Sequence, residues 1–283
     1  MKKKIEFLDL GQQPLANYYL NKSQIKKKER KYRLIVCFNN QNKLVSIKKT
    51  FSSKMMFNNK YPYRSSMSQT MQKSFKELSK KIKNKINPKK ILEIGSNDGS
   101  FLKNFNKNIS VGIEPCANVE KITKDQKFNT IPEYWNLKLA RNILKKHGNF
   151  DLIYSANTIS HIKDLNDVFK SIDLVLSKNG IFILEDPSLL ECLKRNTYDQ
   201  FYNEHIYVFS YLSLSNILKR YYLEIYKIEN LDIHGGSNRY FIKRINNKIK
   251  IENSVIKQKK AETKYGLGKE STYFKFKKRV EES

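Results

Sequence analysis

The stretch Lys90–Leu102, KILEIGSNDGSFL, constrains the fold of this chain more than any other. Ile91, Leu92 and Ile94 form a short apolar run of the kind that makes a buried strand. Gly95 and Gly99 bracket a tight polar loop, and Asn97 or Asp98 can cap a following helix that carries Phe101, Leu102 and Phe105 inward. A helix N-terminus at the open end of a parallel strand is a place to hold a small polar ligand. A dinucleotide fingerprint needs glycine where the backbone meets a pyrophosphate, and here that position is Asn97. The loop therefore suits a ligand with a nucleoside end and an amino acid end but no diphosphate. The next strand candidate, Val111–Pro115, ends in Glu114, where such folds grip ribose hydroxyls.

Glu93, Gly95, Gly99 and Glu114 together resemble the S-adenosylmethionine site of class I methyltransferases. That resemblance makes Glu93, Gly95, Ser96, Asn97, Asp98, Gly99, Glu114, Pro115 and Asn157 the expected cofactor-binding residues.

Around this stretch the pattern is that of an α/β chain. Residues 1–60 are irregular, with short strand candidates at 34–38 and 44–47, and suggest a small separate module. Met67, Met71, Phe75, Leu78, Ile82 and Ile86 share one helical face across residues 64–86, which Asn87-Pro88 ends. Strand candidates at 90–94, 110–115, 128–131, 150–155 and 180–185 then alternate with helical stretches, clearest at 164–177. Short-turned alternation of this kind predicts a doubly wound, mostly parallel sheet. Ser177–Gly180 looks like a helix stop. An aromatic and polar insert follows at 186–212, then a helix at 213–222 and two strand candidates at 223–231 and 238–245, expected to pair antiparallel at the sheet edge. These divisions give domains at 1–60 and 61–245, with 246–283 as a charged tail or linker or a surface helix.

The net charge of +28 raises nucleic acid as a partner. Only 9 of the 55 basic residues are arginine, the side chain best suited to reading phosphates and bases, and 29 asparagines accompany the lysines. That combination looks like a compositional bias and argues against nucleic acid. Three isolated cysteines argue against a disulfide framework. The basic start is followed by an apolar stretch broken at Asp9 and at Gly11–Pro14, so neither a signal peptide nor a membrane span is expected, and a cytoplasmic location is.

Four histidines can be weighed singly. His147 precedes Gly148 as a solvated cap. His161 and His205 both follow strand candidates, which places them above the cofactor loop at the carboxyl edge of the sheet. His234 opens His234-Gly235-Gly236-Ser237, a turn able to aim N–H groups at an anion.

Six segments in order resemble the sugar C-methyltransferase family, which acts on nucleotide-linked keto-hexoses: Phe7–Asn17, Tyr61–Ser68, Glu93–Gly99, Gly112–Asn118, Tyr198–His205 and His234–Arg239. The resemblance implies methyl transfer from S-adenosylmethionine to a carbon beside a ketone, which must first lose a proton to a base. His205 would be that base, with Tyr202 and Glu204 orienting it or the sugar. Tyr63 and His161 would line the pocket and stabilise the enolate, and Tyr198, His234, Gly235, Ser237 and Arg239 would bind substrate. The family carries zinc-binding cysteine pairs near its N-terminus, and here Cys37 alone is present, with Asn39 and Asn40 nearby, so no zinc is expected. Family members continue into a further α/β domain, which makes a separate chain carrying that domain a conceivable partner. A non-catalytic binding protein on a decayed methyltransferase fold and an RNA methyltransferase are the alternative readings.

Overall fold

A computed structural model describes residues 4–26 and 28–283; the first three residues of the basic start lie outside it. The chain begins with three antiparallel strands, β1 (Ile5–Gln13), β2 (Tyr32–Asn39) and β3 (Leu44–Ile47). The strand candidates at 34–38 and 44–47 are β2 and β3, while β1 falls in a stretch expected to be irregular. Two register shifts in β1 hide its alternation from a sequence pattern.

A short helix α1 (Ser53–Met56) precedes α2 (Gln69–Lys85). The α2 helix starts later than its apolar periodicity predicts, because Ser68 caps it and accepts from Met71 N–H at 3.3 Å. Upstream, Ser65 N–H is bound to Asn97 Oδ1 and Ser66 N–H to Asp98 Oδ2, at 2.8 and 2.9 Å. Met67 consequently lies outside the helix and is 78% exposed, while Met71, Phe75, Leu78 and Ile82 are buried.

The parallel strands are β4 (Ile91–Ile94), β5 (Ser110–Ile113), β6 (Asn129–Ile131), β7 (Phe150–Ala156) and β8 (Leu176–Pro187). Helices α3 (Ala117–Asp125), α4 (Leu137–His147) and α5 (Leu165–Val175) connect the last four. Between β4 and β5 the expected α-helix is absent: Phe101, Leu102 and Phe105 are buried, but two three-residue 3₁₀ turns, Leu102–Asn104 and Lys107–Ile109, take its place. The chain also does not stop at Gly180. Leu176 is already extended and opposite Phe150, and a Cβ on Gly180 would lie 2.8 Å from Phe150 O. Glycine there admits a neighbouring backbone instead of ending a helix. His147 is half-buried near Phe150, not a solvated cap.

Beyond β8 come α6 (Leu189–Arg195), the two-residue β9 (Tyr207–Val208), α7 (Tyr211–Leu218), β10 (Leu223–Leu231) and β11 (Ser237–Arg244). The large sheet has the order β10-β11-β8-β7-β4-β5-β6, with β11 antiparallel to both neighbours. The switch in strand order falls between β7 and β5, on either side of β4, and the ligand crevice of such sheets lies above it. The smaller sheet has the order β1-β2-β3-β9, so its last strand comes from the aromatic insert. The segment after 246, expected as a tail or linker, folds into α8 (Asn253–Tyr265) and α9 (Glu270–Glu281), which bury Val255, Tyr273 and Phe276. Among the described residues no helix is long and apolar enough to cross a membrane.

Candidate active site

A cavity of about 550 Å³ opens above the carboxyl ends of β4, β5 and β7, within the range usual for small-molecule sites. One half of its wall follows directly from the strand ends. Gly95 takes φ +75°, and a Cβ there would penetrate the Thr158 side chain. Gly95 and Ser96 N–H both reach Ile113 O at 2.9 Å, tying the loop to the neighbouring strand. Asn97, at φ 48°, donates its N–H to Glu114 Oε2 at 3.0 Å, and Glu114 Oε1 accepts from Cys116 N–H at 2.8 Å. The Glu114 carboxylate is thereby fixed with lone pairs left for a ligand.

Glu93, Gly95, Asn97, Glu114, Pro115 and Asn157 all line the cavity. Ser96, Asp98 and Gly99 do not; they build the loop behind it, and Asp98 joins Ser66 N–H to Ser100 Oγ. Burial pushes the carboxyls of Glu93 and Glu114 above the usual range, helped at Glu93 by Asp98 and Glu114. Among the described residues Glu93 Oε2 has no partner, and no lysine or arginine lines this wall in a chain of +28. A cluster of buried acids without a cation fits a ligand that brings its own positive charge, as a sulfonium and an ammonium group do.

The other half is assembled from distant segments. His205 Nδ1 lies 2.8 Å from Gln200 O, and because a carbonyl only accepts, Nδ1 carries the proton. Nε2 is then the lone-pair nitrogen, and Tyr202 Oη donates to it at 3.1 Å. Burial lowers the His205 pKa to about 4, so the ring is neutral at physiological pH. His161 stacks between Phe57 and His205, with ring centroids 5.3 and 5.1 Å away. Its pKa is also held well down by burial and by His205, and among the described residues its Nε2 has no partner. Tyr63 and His234 complete the expected residues on this wall.

Glu204 stands just behind the wall. Its carboxylate accepts from Asn17 Nδ2 at 3.0 Å and from Tyr61 Oη at 3.3 Å, and burial raises its pKa to about 7. Asn17 and Tyr61, both lining the cavity, were missed as site residues in the sequence, although each ends or begins a motif that carries the family resemblance.

The structure does not bring Tyr198, Gly235, Ser237 or Arg239 to the cavity wall. Arg239 is 3% exposed and spends its guanidinium on Glu185, Glu229 and Ser74, at 2.8, 3.0 and 2.9 Å. It fastens α2 to three strands and has no free edge for substrate. In the His234–Ser237 turn, Gly236 N–H and Ser237 Oγ both donate to Ile233 O, so the Gly236 N–H is spent inside the turn.

Comparison with known proteins bears on the family and the fold. Residues 63–228 match the model of a methyltransferase domain, and residues 1–57 match that of a putative zinc binding domain. The chain belongs to the methyltransferase family whose model covers more than half of it. A curated relative, C-methyltransferase NovU of Streptomyces niveus, is 32% identical over 149 residues, which span 52% of this chain and 36% of that protein. The solved PH0226 protein of Pyrococcus horikoshii OT3 superposes with a TM-score of 0.50 at 18% identity, covering 64% of this chain and 94% of its own, and shares the fold. An S-adenosylmethionine-dependent methyltransferase from Clostridium acetobutylicum gives 0.47 at 16% identity over 63% and 93%.

The zinc that the N-terminal match implies does not fit the residues present. The matched segment contains one cysteine and no histidine, and the described residues hold no group of three or more His, Cys, Asp or Glu able to hold a metal.

Proposed function

We propose that this chain is an S-adenosylmethionine-dependent C-methyltransferase acting on a nucleotide-linked keto-deoxysugar at the carbon beside the ketone. The observation that carries the reading is the hydrogen-bonded series Tyr202 Oη, His205 Nε2, His205 Nδ1 and Gln200 O, facing the acid-lined half of one cavity. Bound S-adenosylmethionine supplies an electrophilic methyl group on a sulfonium. Glu114 holds the ribose hydroxyls, while Gly95 and Asn97 bring the backbone against the ligand. On the acceptor side, the carbon must become a nucleophile, and neutral His205 takes its proton at Nε2. The low proton affinity of the buried ring in the empty cavity rises as negative charge develops on the enolate beside it. Tyr202 Oη is displaced from Nε2 towards the sugar, and Tyr63 and His161 are within the same wall to meet the enolate oxygen.

Among the described residues no lysine or arginine lines the cavity, which favours an acceptor whose diphosphate lies outside it. Titration calorimetry with S-adenosylmethionine tests the cofactor half; folded protein that takes up none sinks the reading. Solvent deuterium incorporation beside the carbonyl of a nucleotide-linked keto-deoxysugar tests the acceptor half. A scaffold that only binds leaves that position unlabelled.

A further inference from the structure

The N-terminal sheet matches a putative zinc binding domain yet lacks ligands for zinc, and something else must hold its turns in place. We infer that the C-terminal pair α8 and α9 is that clasp, and that it positions the acceptor half of the cavity without a metal. Tyr273 of α9 stacks on Phe38 of β2 at 4.2 Å and meets Phe7 of β1 at 5.0 Å. Phe276 packs edge-on to Phe201 at 6.1 Å. The β2–β3 turn, just beyond the lone Cys37, is bound from the same side: Asn40 Nδ2 donates to Glu270 Oε1 at 2.9 Å, and Lys43 Nζ to Gly268 O at 3.2 Å. Cys37 is itself buried and unpaired, behaving as a small core residue.

The far side of the clasp is anchored too. Glu262 of α8 is fully buried and accepts from Tyr211 and Leu212 N–H at 2.8 and 3.0 Å, at the start of α7. Arg279 donates to Leu193 O at 2.6 Å on α6. The two helices therefore join the N-terminal sheet to α6 and α7, which stand on either side of the Tyr198–Val208 segment. That sheet reaches the site at two points. Asn17, beyond the end of β1, holds Glu204, and β9, which pairs with β3, begins two residues after His205. Closing the clasp fixes the Tyr202–His205 segment at Glu204 and just beyond His205.

Three measurements on the full chain test this. Metal analysis of the purified protein should find far less than one zinc per chain, and a strong chelator should leave melting unchanged. In Tyr273→Ala, amide exchange should quicken about 100-fold in β1–β3 while β4, β5 and β7 stay protected. Tyr273→Phe, which keeps the stacking ring and loses only the Oη bond to Leu267 O, should quicken those amides far less than Tyr273→Ala. Stoichiometric zinc, or exchange that stays slow in β1–β3 or quickens equally in every strand, overturns the clasp. If Tyr273→Ala does not fold, the double variant Asn40→Ala/Lys43→Ala should quicken the same amides several-fold, and unchanged exchange there refutes the inference. The positioning role rests on the methyltransferase reading: Tyr273→Ala should lower turnover while S-adenosylmethionine affinity holds. A wild type without turnover counts against that reading; the exchange pattern judges the clasp alone.

Discussion

The two halves of the cavity are built by opposite strategies. The cofactor half is local: Glu93 to Asn97 and Glu114 to Cys116 are turns at the ends of adjacent strands, bonded to each other within some 20 residues. The acceptor half gathers Asn17, Tyr61, His161 and Tyr202–His205, so its geometry depends on two sheets and the clasp. A site built this way can keep its cofactor affinity while losing its chemistry.

Single substitutions should separate the halves. The largest effect is expected from His205→Ala, which should lower turnover by about 10²- to 10⁴-fold while calorimetry returns a wild-type S-adenosylmethionine affinity. A parallel loss of affinity would mean that the halves are not independent. Gly95→Ala should do the reverse and weaken the cofactor by roughly 100-fold or more, because the methyl group must enter Thr158 from a backbone at φ +75°. Next, Glu114→Ala should cost about 1.5–3 kcal/mol of cofactor binding, about 10- to 150-fold in Kd. An unchanged affinity removes the ribose role.

The smallest effect is one of pH. His205 is held at about 4 in the fold, against an ordinary value near 6.5, so the unfolded chain takes up a proton that the folded one refuses. Its depressed pKa makes stability fall as pH drops through that window, by about 2 kcal/mol at pH 5. In denaturant titrations between pH 7 and 5, His205→Gln should lack this part of the slope. Equal slopes would show that the ring already carries its charge in the fold.

The same contrast explains what was legible in the sequence. The parallel strands and the cofactor loop announce themselves through short apolar runs and glycines, because their partners are close in the chain. Arg239 looked like a substrate ligand, since nothing in its motif reveals that Glu185, Glu229 and Ser74 occupy it. That the C-terminal helices pack into the fold was missed because their few buried apolar side chains are spread among lysines, and because Gln258 and Glu262 are buried polar positions. The order of the N-terminal sheet was hidden by bulges in β1 and by a fourth strand supplied some 160 residues later.

That borrowed strand has a consequence for anyone wishing to graft this protein's parts. The border between the two sheets runs through the insert that carries His205, so a cut made after β3 leaves β9 without its partner. A chimaera that exchanges the first 60 residues must therefore replace the edge of a sheet at Tyr207–Val208 as well as the contact at Asn17. The unit of exchange is the small sheet with its loop and clasp, which is not a contiguous piece of chain.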